Sequence, residues 1–205
     1  MSSSKPAAVV FDLGKVLLDF DYSHVVRKVA ALGRVDVDTI HRLLLSSTLL
    51  PAFECGDMSP REFYRQICEG TGFTGDYEQF VRYFSDIFSE IPAMVALQAE
   101  LRSRGVPTFI FSNTNELAIA YVRQAFPFFA RFDGYVLSYE HHSMKPDAPL
   151  YEVVERVTGR RGADLLYFDD RLENIEAGLG RGWQAVLHVD PVESRKALER
   201  SGLLG

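Results

Sequence analysis

Cysteine is scarce in this chain, with Cys55 and Cys68 its whole complement in 205 residues. One pair at that spacing makes neither a metal-ligand pattern nor a disulfide framework, so both are expected to be reduced, partly buried thiols. Positive charge is also in short supply. Lys and Arg number 22 against 28 Asp and Glu, which gives a net charge of −6 and a pI near 5.4. The densest basic cluster, Arg160-Arg161, is too short for a patch. That excludes an electrostatic footprint for nucleic acid or an acidic membrane surface. No apolar run is long enough to span a bilayer. Repeats and low-complexity segments are absent, and the opening Met1-Ser2-Ser3-Ser4-Lys5-Pro6 lacks the charged-then-apolar order of a signal peptide. A cytoplasmic protein that binds neither nucleic acid nor membrane is expected. Nothing in the sequence sets the oligomeric state.

What the chain does have is ordinary globular material: 47% hydrophobic residues, 24% charged and a mean hydropathy of −0.04. This suffices for one α/β domain, or for a core domain with a smaller insert. Five short apolar runs read as buried strands: Ala7–Asp12, Val106–Ser112, Gly134–Ser138, Asp164–Asp169 and Gln184–His188. Helical periodicity follows at Ala93–Arg104, Glu116–Gln124, Ala148–Thr158, Leu172–Leu179 and Pro191–Leu203. Alternating strands and helices predict a doubly wound, Rossmann-like parallel sheet. Gly105 is a suitable stop after Arg102 and Arg104, and Asp147 a suitable N-cap before Ala148.

Between Tyr22 and Glu90 the alternation lapses. Amphipathic helices are expected at Tyr22–Leu32, Val37–Leu44, Pro60–Glu69 and Tyr77–Ser89, with a loop at Glu54–Ser59 and Ser59 as an N-cap. An insert after the first strand would lie over the carboxyl ends of the sheet, where open α/β folds bind ligands. The expected division is a core of residues 1–20 and 91–205 with a helical cap of residues 21–90.

Polar residues follow four successive strands. Asp12 ends the first, before Leu13-Gly14; alone it reads equally well as a turn cap or as a carboxylate in the crevice. Ser112-Asn113 ends the second, a weak signal by itself. Lys145 follows the third, and Pro146 restricts the residue before it to extended backbone, fixing the direction in which Lys145 leaves the chain. Asp169-Asp170 ends the fourth, with Asn174 one turn on. Paired carboxylates repel unless a cation or hydrogen-bond donors compensate. Mg²⁺ takes one or two carboxylates plus water and phosphate, so Asp170 is the candidate ligand and Asp169 an outer partner. As the bland alternative, Asp170 caps the next helix. His141 and His142 read as surface-loop residues.

The order Asp12 with Gly14, Ser112, Lys145, Asp169-Asp170 resembles the four motifs of the haloacid dehalogenase superfamily, over nearly the whole chain. The insert is similar to that superfamily's small α-helical cap. The resemblance implies an aspartyl phosphate at Asp12 and Mg²⁺ held by Asp12, Asp170 and a carbonyl near Gly14, with Asp169 beside them. It also implies a phosphate held by Ser112, Asn113 and Lys145. The substrate would be a small phosphorylated metabolite.

One departure matters. Phosphatases of this superfamily usually carry a second Asp as general acid and base where this chain has Gly14. Losing such a group typically costs about 10²–10⁴ in rate. Either another residue or water substitutes, or the substrate needs less help in leaving, as an anomeric sugar phosphate does. With no protein acid, rates are expected to depend steeply on leaving-group acidity. The string Phe11–Val16 with Asp19 and Asp21, together with Glu54–Ser59, Ser112–Asn115 and Phe168–Ile175, resembles a bacterial α-glucose-1-phosphate phosphatase branch. Glu54 would then contact substrate from the cap, or stand as a solvated cap carboxylate. A 2-haloacid dehalogenase and a catalytically weak phosphate-binding regulator remain as alternatives. The metal-type carboxylate pair counts against the first, and the full motif set against the second.

Overall fold

A computed structural model describes residues 4–45 and 47–205. Met1–Ser3, the start of the segment read as lacking a leader, lie outside the described residues. Five parallel strands form the central sheet in the order β5-β4-β1-β6-β7. They are β1 (Ala8–Phe11), β4 (Thr108–Ser112), β5 (Gly134–Leu137), β6 (Leu165–Asp169) and β7 (Gln184–Leu187). In β1, Val9 and Phe11 pack on one face with Ile110, Leu166 and Phe168; Ala8 and Val10 pack on the other with Phe111 and Tyr167. Burial on both faces is why these strands read as unbroken apolar runs.

Helices cover both faces, as the doubly wound expectation requires. α6 (Pro92–Ser103), α7 (Glu116–Ala125) and α10 (Pro191–Arg200) contribute to the first apolar layer, and α8 (Ala148–Thr158) and α9 (Leu172–Gly180) to the second. Gly105 follows α6 with φ +74°, a left-handed turn that ends the helix. Asn115 caps α7 by accepting from the Ala118 N–H at 3.0 Å. Asp147 sits at the N-cap of α8, but its side chain makes no capping bond; Pro149 in the first turn already lacks an N–H.

The insert folds into α1 (Ser23–Leu32), α2 (Val37–Leu45), α3 (Leu49–Glu54), α4 (Pro60–Thr71) and α5 (Tyr77–Ser85). They enclose a separate apolar core around Phe53, Phe63, Phe80 and Phe84, joined from the main domain by Leu117. Ser59 caps α4, accepting from the Glu62 N–H at 3.2 Å. Three features differ from the sequence expectation. Helix α3 occupies a stretch to which the sequence assigns no element, and it takes in Glu54, the first residue of the expected loop. Helix α5 stops at Ser85 rather than Ser89, because Phe88–Glu90 forms strand β3 against β2 (Leu18–Phe20). Pairing of Phe20 with Phe88 makes an antiparallel ribbon from the two segments that join insert to core. Three-residue strands leave almost no periodic signal, which is why both escape detection. Among the described residues no helix is long and apolar enough to cross a membrane.

The insert also touches the sheet domain through one loop. The Ser138 hydroxyl donates to the Glu54 carbonyl at 2.6 Å. Gly56 has φ +78°, and a Cβ there would lie 2.2 Å from the Tyr139 carbonyl oxygen. Only glycine satisfies both restrictions.

Within the insert, Phe63 is fully buried, stacked on Phe53 at 4.4 Å and edge-on to Phe84 at 5.2 Å. Phe63→Ala is expected to destabilise the protein by ~3–5 kcal/mol through the lost burial and the cavity left behind. Denaturant unfolding measures this directly. A loss below about 1 kcal/mol would mean that the insert does not depend on this stack.

Candidate active site

Asp12 leaves the sheet one residue past β1, where its N–H still donates to the Phe168 carbonyl of β6 at 2.9 Å. Lys145 lies on the long loop after β5 and is fixed from β4. The Asn113 carboxamide accepts from the Lys145 N–H at 2.8 Å and donates to the Lys145 carbonyl at 3.0 Å. This two-sided clamp orients the lysine. Its ammonium, with the side chain 1% exposed, lies 3.0 Å from Asp12 Oδ2 and 2.6 Å from Asp169 Oδ2, and donates to the Phe111 carbonyl at 3.0 Å. An ammonium has three protons. All three have acceptors here.

Asp169 is fully buried and accepts from four donors: Lys145, the Tyr167 hydroxyl, the Arg171 N–H at 2.9 Å and the Asn174 amide at 2.9 Å. Those bonds fill a carboxylate's usual acceptor capacity. Asp169 is therefore built to orient its neighbours. Asp170 is exposed, and α9 takes Arg171 rather than Asp170 as its N-cap residue. The capping alternative for Asp170 is not what the fold uses.

Ligand oxygens of Asp12, Asp169 and Asp170 lie within 4.8 Å of one another. When all three are ionised, the carboxylates outweigh the single Lys145 ammonium by two negative charges. Burial foremost, then the Asp169 and Asp170 charges, pushes Asp12 up to about 8 despite Lys145. Against its burial, the Lys145 charge and hydrogen bonds hold Asp169 below the ordinary range. Partial desolvation and the Asp169 charge raise Asp170. A hard divalent cation fits this set, since it would supply the two missing charges to oxygen donors. Asn174 adds a second indication. It lines the same cavity, and its buried Oδ1 has no hydrogen-bond partner.

That cavity, about 250 Å³, is lined by Asp12, Gly14, Glu54, Asn113, Lys145 and Asp170 among others. Ser112 is not part of its lining. The Ser112 hydroxyl is buried at the end of β4 and donates to the Asn113 carbonyl at 3.3 Å. A larger cavity of about 580 Å³ between α5 and α7 shares no residue with the carboxylate site. Chemistry, not size, picks out the candidate.

Gly14 has no left-handed backbone; instead, a Cβ there would lie 2.8 Å from Cε1 of Phe20. The space beside position 14 is filled by an aromatic ring. Lys15 does turn left-handed, with φ 57°, and its ammonium is committed to Asp19 and to the Phe20 carbonyl at 2.9 Å. From the insert, Glu54 brings the one carboxyl that joins the core residues in this cavity. Burial pushes it up to about 7, partly offset by the Arg171 and Lys145 charges. His141 and His142 are exposed, His142 lying 3.5 Å from Asp57 of the insert loop.

Sequence reasoning passed over Arg171, Phe20, Pro51 and Met144, all of which line the cavity. Arg171 follows the carboxylate pair directly and could have been found as a cation beside two acids. Phe20 carried no signal, because its position depends on the unrecognised β2–β3 ribbon.

A family model for haloacid dehalogenase-like hydrolases matches residues 6–180. The chain is 27% identical to the sesquiterpene phosphatase astK of Aspergillus oryzae over 176 residues, covering 85% of this chain and 86% of that protein. It is 22% identical to a D-ribitol-5-phosphate phosphatase of Bacteroides thetaiotaomicron over 196 residues, covering 93% and 95%. Among solved structures, a HAD family enzyme of Bacteroides thetaiotaomicron in complex with magnesium and inorganic phosphate superposes with a TM-score of 0.78. That match is 23% identical and covers 89% of this chain and 93% of the other. The L-2-haloacid dehalogenase of Xanthobacter autotrophicus shares the fold at a TM-score of 0.65 and 15% identity, over 98% and 85% of the two chains. With three strand ends and the loop after β5 converging on one carboxylate cluster, and a family match over most of its length, the chain belongs to the haloacid dehalogenase-like hydrolases.

Proposed function

We propose that this hydrolase is a magnesium-dependent phosphatase that cleaves the phosphomonoester of a small metabolite through an aspartyl phosphate at Asp12. The observation that carries the reading is the cluster of buried Asp12, buried Asp169 and exposed Asp170 beside Lys145, whose three carboxylates, once ionised, outweigh the one ammonium by two charges. Asp12, Asp170 and the Gly14 carbonyl would hold Mg²⁺, with Asp169 keeping Asn174 and the Arg171 backbone in place around it. When bound, Mg²⁺ offsets the repulsion between the anionic nucleophile and the incoming phosphate.

Asp12 would attack phosphorus, and Lys145 would pass from Asp12 to a non-bridging oxygen as charge builds there. The Ser112 hydroxyl, now in a 3.3 Å bond, would exchange it for a second oxygen. Asn113 contributes mainly by clamping Lys145, as its carboxamide is engaged at both ends. Residues 21–90 would act as a cap over the core formed by residues 1–20 and 91–205, bringing Glu54 to the substrate side. The names of the two relatives support a phosphate ester as substrate. Within that class a sugar 1-phosphate asks least of the site, because its anomeric hydroxyl is an acidic leaving group. The two free thiols, Cys55 and Cys68, agree with a reducing cytoplasm.

Hydrolysis of an aryl phosphate is expected to stop in excess chelator and to return with added Mg²⁺. Full activity without metal would remove the cation from the scheme, and metal-free halide release from 2-chloropropionate would favour a dehalogenase instead. Asp12→Asn is expected to lower turnover by at least about 10³-fold while far-ultraviolet circular dichroism stays unchanged, because an amide is not a competent nucleophile. Near wild-type turnover in that variant would contradict covalent catalysis at Asp12.

A further inference from the structure

Breaking the ester bond of an alkyl phosphate needs a proton for the leaving oxygen, and position 14 offers none. Other groups lining the cavity are already committed. The Lys145 protons are engaged by Asp12, Asp169 and Phe111, and the Lys15 ammonium by Asp19 and Phe20. Arg171 does not release a proton at working pH. Asp12 and Asp170 belong to the nucleophile and the cation. Glu54 is different. Among the described residues its carboxylate makes no hydrogen bond or ion pair, although it lines the same cavity as Asp12 and Lys145. Its backbone is held by the Ser138 hydroxyl, and the following turn fits against Tyr139 only because residue 56 is glycine.

We infer that Glu54, delivered from the insert, is the general acid and base that a carboxyl at position 14 would otherwise provide. The inference rests on the phosphatase reading. In the first step Asp12 Oδ forms a bond to phosphorus while the ester P–O bond breaks. The Glu54 proton passes to the departing alkoxide, leaving an alcohol, aspartyl phosphate and a Glu54 carboxylate. In the second step water attacks phosphorus and gives its proton to Glu54. The Asp12–phosphorus bond breaks, releasing inorganic phosphate and restoring both carboxyl groups. Burial, which holds Glu54 near 7 against the opposing charges of Arg171 and Lys145, lets it serve in both forms around neutral pH. Tyr22, half-buried and raised by desolvation first and then by the Glu54 charge, is a further titratable group near it.

This replaces the steep leaving-group dependence expected from Gly14 alone. The test is kcat/KM for Mg²⁺-loaded wild type, Glu54→Gln and Asp12→Asn across aryl phosphates of graded leaving-group acidity and one alkyl phosphate. kcat/KM includes only steps up to departure of the alcohol, so slow loss of phosphate from Asp12 does not blur it. Wild type should show a shallow dependence and Glu54→Gln a steep one. The alkyl phosphate should lose about 10²–10⁴-fold and the most acidic phenol less than about threefold. Glu54→Ala with added formate guards against a folding defect, and formate should recover rate on poor leaving groups only. Turnover that needs Asp12 but falls equally across the series in Glu54→Gln, or a wild type that is itself steep, would overturn the role of Glu54 alone. No turnover of any phosphomonoester, or turnover that survives Asp12→Asn, would overturn the phosphatase reading and this role with it.

Discussion

A single buried ammonium organises this molecule. The Lys145 side chain is 1% exposed and lies between the carboxylates of Asp12 and Asp169, at 3.0 and 2.6 Å. A charge in that position is tolerable only if its protons find acceptors and its partners are held in place. The surrounding structure meets both conditions. Phe111 at the end of β4 accepts the third proton, Asn113 grips the lysine backbone on both sides, and Tyr167 within β6 bonds Asp169. The parallel sheet brings β1, β4 and β6 side by side, so three strand ends reach one ammonium. Because the acids outnumber Lys145, the arrangement also leaves room, electrostatically, for a divalent cation. Removing Lys145 would strand the buried Asp169 charge, whereas loss of the Asp12 charge leaves Lys145 paired with Asp169.

The insert brings Pro51 and Glu54 to the wall of the cavity lined by Asp12. The insert's aromatic core is shared with Leu117 of α7, and the β2–β3 ribbon and the loop around Gly56 add further contacts to the sheet domain. That loop approaches the Tyr139 backbone so closely that any side chain would force it away, and with it Glu54. Phe20 belongs to the same ribbon and fills the space beside Gly14. Phe20, beside Gly14, and Glu54 both line the cavity that holds Asp12.

Much of this was legible in the sequence, for physical reasons that differ by element. Strands buried on both faces announce themselves as apolar runs, and the residues closing them, Asp12, Ser112 and Asp169, could be located to within one position of a strand end. Lys145 was marked by Pro146 after it, although its clamp by Asn113 is a contact between distant segments that no local pattern encodes. The ribbon strands Leu18–Phe20 and Phe88–Glu90 were missed because three residues cannot display alternation, and a helix was extended over the second. Helix α3 was missed because six residues with Pro51 inside give no helical period. The Ser112 hydroxyl bonds the Asn113 carbonyl at 3.3 Å, a local contact that no sequence pattern encodes.

The proposed chemistry requires Asp12 to become covalently phosphorylated. Rapid acid quench of the Mg²⁺-loaded enzyme during turnover of a phosphomonoester, followed by peptide mass spectrometry, reads this directly. The expected result is a phosphoryl group on the peptide that contains Asp12, lost on treatment with hydroxylamine, as an acyl phosphate must be. Turnover without label on that peptide, at quench times shorter than one catalytic cycle, would contradict it.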